Sequence, residues 1–439
     1  MGHSTLKVGA GKSAIKYTSD MFPNFRENYT HVHDDSYTQV LIMESDFKYV
    51  FVACGTVMVP EVQEVKNTLS GMLGVSIQNI IVHGKHVLSA PHCGRSTVER
   101  FMEHAAHFGK SLSVEEAEIY VTRDNMLTDA VHESIYQAAK IANESIREAR
   151  IGFVCGYTDV NVNRVVHTDK GWWQGHNPDG VTDRTLPVLR FDDMDGTPIA
   201  ILFNCNTAPG VLENSFLSDG RRAASGDLAA AAEKFVEDAY GGETVAIYTT
   251  GATGDQWQSL RSLFDRVGKN GKQTTTDLRE QGFLLVDILG TRLGEQVVRM
   301  AEQITTDAAE KKISLNSVIF KYPGQRATVR EDAGAVTECQ FLPDGEREAG
   351  VSVLRIGDLA IVFCGVEMGV RTYNAVKLAS PFKNTFVVEF ANEAGGGYMV
   401  EQDLYEKMSY QSRKSRFAAG AAERFKDDVI KFLNEIYSE

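Results

Sequence analysis

A mixed α/β fold is predicted by three observations. Short apolar runs rich in β-branched and aromatic residues recur along the chain, as in YTQVLIM at 37–43 and YVFVAC at 49–54. Stretches with helical spacing alternate with them, as in Val62, Val65, Leu69 and Leu73 before Gly74. Gly-, Asn- and Asp-rich turns separate the two kinds of element, which suits mixed sheets covered by helices.

The 439 residues allow two packed units or one large one. A content of 43% hydrophobic and 24% charged residues is that of a soluble globular protein, and no 18-residue apolar run predicts a membrane span. The formal net charge of −14 argues against a nucleic-acid backbone as partner. Cys54, Cys93, Cys155, Cys205, Cys339 and Cys364 lie far apart, and several fall in apolar strands. They read as reduced thiols and not as a disulfide framework. With the polar start MGHSTLKVGAGKS, this sets the expectation of a cytoplasmic protein with a small-molecule substrate and neither a membrane nor a nucleic-acid partner. Homo-oligomerisation is left open.

Residues 1–35 read as polar and turn-rich. VGAGKS within them is not a P-loop, because Leu6 stands where that pattern needs a glycine. Two strands at 37–43 and 49–54 and a helix over 61–73 follow. NIIVHGKHVLSAPHCG at 79–94 then opens as a buried strand and delivers His83, His86 and His92 to a loop. Three imidazoles on a rigid strand end suit a metal or acid–base site; the plainer reading is a solvated loop. Residues 97–108 and 114–149 are predicted helical, the latter in at least two pieces. The polar stretch 156–183, with Trp172 and Trp173, is expected to be a loop that lines a pocket or lies on the surface. A hairpin over 186–203, a helix over 228–240 and a strand at 245–249 come next. GATGDQ at 251–256 reads as a turn entering a helix, 269–276 as a mobile loop, and 284–304 as a long helix. Short strands at 318–321, 351–356 and 359–364 follow, the last two joined by Gly357-Asp358. Glu367 is expected to start a helix, and Tyr398 follows Gly395-Gly396-Gly397, where a bare backbone can approach a ligand. Helices over 403–410 and 418–436 close the chain. No internal repeat is read. The expected organisation is a larger portion, 1–310, carrying His86, Arg164, Ala208 and Asp255, packed as one unit with a smaller portion, 311–439, carrying Glu367 and Tyr398.

Four stretches in order are similar to the neutral/alkaline non-lysosomal ceramidase family. They are NIIVHGKHVLSAP; VNVNRVV with the later LPVLRF and PIAILFN strands; ASGD with TGATGDQ; and GVEMGVRTYNAVK with ANEAGGGYMVEQDLYE. The resemblance spans residues 8–435 and implies a ceramidase-like catalytic domain with no room for that family's C-terminal immunoglobulin-like domain. It also implies a zinc ion held by two His, one Glu and one Tyr, with His86, Glu367 and Tyr398 on the first His, the Glu and the Tyr. Arg164 falls on an arginine that resembles the one beside the metal-bound water. Asp227, Gly254 and Asp255 match supporting positions. Two departures stand out. Leu88 replaces a substrate-contacting histidine, and Ala208 stands where the second zinc histidine belongs. A replacement donor is sought in His83, His92 or Cys205.

The expected site therefore has His86, Arg164, Glu367 and Tyr398 as catalytic residues and His86, Glu367 and Tyr398 as zinc ligands. Cys205, Asn206, Trp172, Trp173 and His92 are expected to contact substrate. Each has a plainer reading: a packed loop histidine, a first-turn carboxylate, a salt-bridge arginine, core tryptophans. The expected function is metal-dependent hydrolysis of an amide or related C–N bond in a small soluble molecule. The alternatives are a zinc-free lyase, isomerase or ring-opening enzyme using His86, Glu367 and Tyr398 as acid–base groups, or a non-catalytic small-molecule binder. Extracellular ceramide is not expected as the substrate.

Overall fold

The apolar runs adopt one arrangement three times: three strands antiparallel in succession, a helix, then a fourth strand parallel to the third. The computed structural model describes residues 5–308, 312–329, 334–392 and 397–439. The first unit has strands Lys7–Ala14, Tyr37–Glu44 and Lys48–Cys54, the helix Val62–Leu73, and Ile80–Gly84 parallel to Lys48–Cys54. The second has Arg147–Tyr157, Thr185–Asp193 and Pro198–Cys205, the helix Asp227–Ala239, and Val245–Thr250 parallel to Pro198–Cys205. The third has Ile313–Ala327, Phe341–Ile356 and Leu359–Cys364, the helix Val370–Ala379, and Asn384–Val388 parallel to Leu359–Cys364. The expectation of no internal repeat is thus corrected at the level of structure. The units share a pattern of buried faces, and many different residue sets satisfy one such pattern.

Pairing of Lys7 with Glu148 and Val8 with Arg147 joins the first two units into one eight-stranded sheet. The third unit forms a four-stranded sheet that packs on its face. Phe51, Leu189, Phe191 and Leu202 from one sheet and Leu354, Ile361, Phe363 and Phe386 from the other share one core. Helices cover both outer faces. Val114–Glu144 and Val62–Leu73 pack on the first unit, Asp227–Ala239 and Gln281–Ala301 on the second, and Val370–Ala379 and Ala421–Ser438 on the third. The result is a mixed α/β fold of four layers, helix, sheet, sheet, helix. No helix among the described residues is long and apolar enough to cross a membrane.

The segment VGAGKS, expected in a polar, turn-rich region, lies in the strand Lys7–Ala14 near the middle of the large sheet. A Cβ on Gly9 would stand 2.0 Å from the Ala142 carbonyl oxygen, and one on Gly11 2.1 Å from that of Ala138. The glycines thus let the helix Val114–Glu144 rest directly on the strand. Gly11→Ala is expected to cost about 3 kcal/mol or more, because rigid backbone stands where the methyl would go. Urea unfolding of the variant beside the parent checks this.

Other expectations are corrected too. The helix expected in two pieces is one of 31 residues, Val114–Glu144. The stretch read as a loop at 156–183 contains the antiparallel strands Asn161–Thr168 and Gly171–Asn177. Its asparagines conceal the strand pattern because they bond to backbone; Asn177 Nδ2 donates to the Val165 carbonyl at 2.7 Å. Residues 251–256 lead into the short strand Gln256–Gln258, not a helix, because that strand pairs with Asn161–Thr168. The expected mobile loop at 269–276 is the turn and second strand of the hairpin Leu263–Val267 and Gln273–Asp277. Glu367 lies in a two-residue strand, Glu367–Met368, and the helix starts at Val370. Gly395 and Gly396, part of the triple glycine, lie outside the described residues.

Candidate active site

The carboxyl ends of the parallel strand pairs from all three units meet, and open α/β sheets commonly bind ligands at such ends. Gly84 N–H donates to the Phe390 carbonyl at 3.1 Å, and Glu389 N–H to the Thr250 carbonyl at 2.9 Å. Gly254 N–H donates to the Met368 carbonyl at 2.9 Å. Thr250 adds its hydroxyl, which donates to the Lys85 carbonyl at 2.5 Å. Residues that follow these strands are therefore held by bonds between units.

Arg164 reaches this junction from the strand Asn161–Thr168. The register with its partner strand shifts between Asn163 and Val165, so Arg164 sits in a β-bulge, which redirects its side chain. Asn163 Oδ1 fills the broken ladder by accepting from Val165 N–H at 2.9 Å, and Arg164 N–H donates to the Asp255 carbonyl at 2.8 Å. The buried guanidinium donates through Nη2 to Glu367 Oε1 at 3.2 Å, to the Tyr398 hydroxyl oxygen at 3.0 Å and to the Gly254 carbonyl at 2.9 Å. Two hydrogens on that nitrogen serve three acceptors. Glu367 and Tyr398 are direct neighbours because the strands Glu367–Met368 and Tyr398–Met399 pair in parallel with those residues in register.

Burial raises the Glu367 carboxyl; the Arg164 charge and the Thr253 and Tyr398 hydroxyls oppose that, and the result is about 7. Burial also raises Tyr398 well above its ordinary value, against the pull of Arg164, so its phenol stays protonated. Its oxygen accepts from Arg164, and its O–H faces the Glu367 carboxyl, whose proton affinity it helps to lower. Burial opposes the Arg164 charge, but Tyr398 and Glu367 outweigh it and hold the guanidinium above its usual value.

Thr253 and Glu389 are residues that sequence reasoning missed. The Thr253 hydroxyl lies 3.2 Å from Glu367 Oε1 and 2.8 Å from Glu389 Oε2, bridging two carboxyl groups with one hydrogen. Glu389 is fully buried; burial and then the neighbouring Glu367 raise it well above the usual carboxylate range. Met368 N–H at 2.9 Å and Thr253 N–H at 3.0 Å also donate to it. The available signal was an acid closing the apolar run TFVVEF at 385–390.

His86 is partly exposed and lies flat against Phe390, ring centres 3.7 Å apart and 7° from parallel. Both residues have left-handed backbones, His86 at φ 58 and Phe390 at φ 54, an uncommon conformation that tends to cluster at functional sites. His86 Nδ1 lies 3.1 Å from the Val57 carbonyl. A carbonyl only accepts, so Nδ1 carries the proton and Nε2 presents a lone pair. Burial lowers His86 to about 3; the Val57 carbonyl resists this, and the charges of His92, Arg164 and Arg26 add to it. The ring is therefore neutral near pH 7.

The supporting positions bind loops together. Asp227 accepts from the Ser89 hydroxyl, from Val211 N–H at 2.9 Å and from Leu212 N–H at 3.1 Å. Asp255 accepts from Val370 N–H at 3.0 Å, and burial raises it to about 6. Gly254 supplies the carbonyl that Arg164 grips. Lys85, next to His86, is 1% exposed and pairs with Glu233 at 2.5 Å.

The residues expected to contact substrate have other partners in the structure. Cys205 is fully buried in the apolar core with Phe203 and Tyr248, and burial pushes its thiol up to about 12. Asn206 is also fully buried, and its side chain is spent on Ala252 N–H at 3.2 Å and the Asp183 carbonyl at 3.2 Å. Cys205 and Asn206, expected to contact substrate, have no exposed surface in this structure. Trp172 lies under the Lys407 ammonium at 4.6 Å, and Trp173 neighbours it on the same half-buried strand. His92 is held by Glu27, Nδ1 to Oε1 at 2.6 Å, and lines a separate cleft.

No protein-family model and no curated protein matches this sequence. Solved structures do match. The neutral ceramidase from Pseudomonas aeruginosa superposes with a TM-score of 0.69 at 15% identity, over 97% of this chain and 74% of that one. A ceramidase complexed with C2 gives 0.69 at 14% identity, over 99% and 76%. The fold is ceramidase-like.

The residues present do not fit the zinc that the sequence resemblance implies. Zinc takes four close donors with nitrogen, sulfur or anionic oxygen. Ala208 brings a methyl group, and its carbonyl is taken by Gln258. Glu367 Oε1 and the Tyr398 oxygen both face the Arg164 guanidinium, a fixed cation within 3.2 Å of each. Of the three candidate replacement donors, Cys205 lies in the apolar core, His92 lines a separate cleft, and His83 is fully buried with Nδ1 2.8 Å from the Glu389 carbonyl. Among the described residues no group of three or more His, Cys, Asp or Glu side chains is placed to hold a metal ion.

Proposed function

We propose that this protein hydrolyses an amide or related C–N bond in a small soluble molecule by acid–base chemistry without a protein-held zinc. The observation that carries this reading is the buried Arg164, Glu367 and Tyr398 cluster, with Glu367 raised to about 7. A carboxyl near neutrality can both take and return a proton. Glu367 as carboxylate takes a proton from water as the water oxygen bonds to the substrate carbonyl carbon. The negative charge that develops on the carbonyl oxygen is met by the Arg164 guanidinium and the Tyr398 O–H. The C–N bond then breaks, and the proton held by Glu367 goes to the leaving nitrogen. Water is consumed and a carboxylic acid and an amine are released. His86 Nε2, neutral and unprotonated, accepts a hydrogen bond from water or substrate.

The test is amine release from a panel of N-acyl amino acids and small lactams. Turnover is expected to survive dialysis against a strong chelator, and zinc titrated into the purified protein is expected to bind well below one equivalent. Loss of activity on chelation, restored by zinc, would return the site to the metal-dependent reading.

A further inference from the structure

A second cleft opens on the loop that carries His86, and three arginines line it. Its volume is about 610 Å³. Met58 lines it, next to the Val57 whose carbonyl holds His86, and His92 enters it from the same loop as His86. The charges of His92 and Arg26 from this cleft and of Arg164 from the other cluster all act on His86.

Arg26, Arg95 and Arg100 line the cleft with His92 and His104, in a chain with 45 Lys and Arg against 59 Asp and Glu. Acids stand among them, and Arg95 is 3.7 Å from Glu64. Glu103 is exposed, and burial, with Glu27 adding to it, raises Asp124 to about 7. Glu27 is spent on His92 at 2.6 Å and Asn24 at 2.5 Å, with Arg26 3.6 Å away. Arg95 is paired with Asp129 at 2.6 Å. The Arg100 guanidinium has no hydrogen-bond or ion-pair partner among the described residues. Phe25 and Phe101, in edge contact at 4.9 Å, lie at the floor of the same cleft, mostly buried at 6% and 4% exposure.

We propose that this cleft binds an anionic head group, carboxylate or phosphate, carried on an apolar body, and that the substrate of the neighbouring site belongs to that class. In naming a substrate class the inference rests on the reading of Arg164, Glu367 and Tyr398 as the reaction centre. Arg100 supplies the open guanidinium for charge-assisted hydrogen bonds, and Phe25 and Phe101 pack the apolar body.

The test uses benzoate, phenyl phosphate and neutral benzyl alcohol as probes, with binding measured by calorimetry or ligand-observed NMR. At least one anion is expected to bind saturably, more weakly as salt is raised, and at least about tenfold more tightly than benzyl alcohol. Preference for benzoate or for phenyl phosphate identifies the head group. Arg100→Ala lies on the exposed face of a helix, so it retains the fold, and it is expected to weaken anion binding about tenfold or more, with Arg100→Lys between. Glu367→Gln is expected to bind the anions as the parent does. Equal binding of benzyl alcohol, no anion binding, or unchanged affinity in Arg100→Ala would overturn the proposal. If Glu367→Gln keeps its turnover, the proposed chemistry fails while these binding results still decide the cleft.

Discussion

Glu367→Gln is expected to lower turnover by about 10²–10⁴-fold, the range for loss of a general base. The amide keeps an oxygen to accept from Arg164 and Thr253, so the loss reports chemistry and not collapse of the site. In the parent, kcat/KM is expected to fall as pH drops through about 7, since the carboxylate is the active form and burial holds its pKa there. The same substitution should stabilise the protein in alkali. A Glu367 raised from 4.5 to about 7 keeps its proton in the folded state while the unfolded chain has lost it. The stability this gives is complete below pH 4.5 and is lost as pH rises through 7, by on the order of 3 kcal/mol in all. Glutamine titrates nowhere, so the variant should melt higher than the parent at pH 8.5 and alike at pH 4.5. An acid limb near pH 4, or a variant that melts lower than the parent in alkali, would remove Glu367 from the proposed role.

Arg164→Met, by contrast, should destabilise the folded protein. It strips Glu367 of its counter-charge, Tyr398 of its donor and the Gly254 carbonyl of both guanidinium contacts. Breaking a buried pair in this way costs about 3–5 kcal/mol. Glu367 can escape part of that cost by holding its proton, so the destabilisation should be larger at pH 8.5 than at pH 5. Without Arg164 the Glu367 pKa should climb further above 7, since that guanidinium is the chief influence lowering it. The residual activity, reduced about 10²–10³-fold by loss of oxyanion stabilisation, should show an acid limb moved to higher pH. An unmoved limb would mean that Glu367 and Arg164 do not act on each other.

The fold class and the strand cores were legible because burial writes itself into composition. A run such as YVFVAC at 49–54 is apolar because both faces of that strand are covered. The hairpin carrying Arg164 was not legible, since its buried positions hold Asn161, Asn163 and Arg164 as well as Val162, and its asparagines serve the backbone. His86, Arg164, Glu367 and Tyr398 stood out through strand ends, turns and the resemblance to ceramidases. Thr253, Glu389 and Phe390 did not, because a threonine in a glycine-rich turn or an acid after an apolar run acquires meaning only from what lies across from it.

By itself the sequence determined the mixed α/β class, the helices and strands with a strong apolar period, and the absence of an imidazole at Ala208. It could not say what that absence does to a metal site, since donors are counted in space. Tertiary structure alone decided three further matters. It built one unit three times from unlike sequences, because only the pattern of buried faces has to repeat. It brought three strand ends together, so that Glu367 and Tyr398 are paired in register and Arg164 meets both from a bulge. It also set Glu367 near 7, because a carboxyl's affinity for its proton depends on the water it has lost and the charges beside it, and neither is written in the local chain.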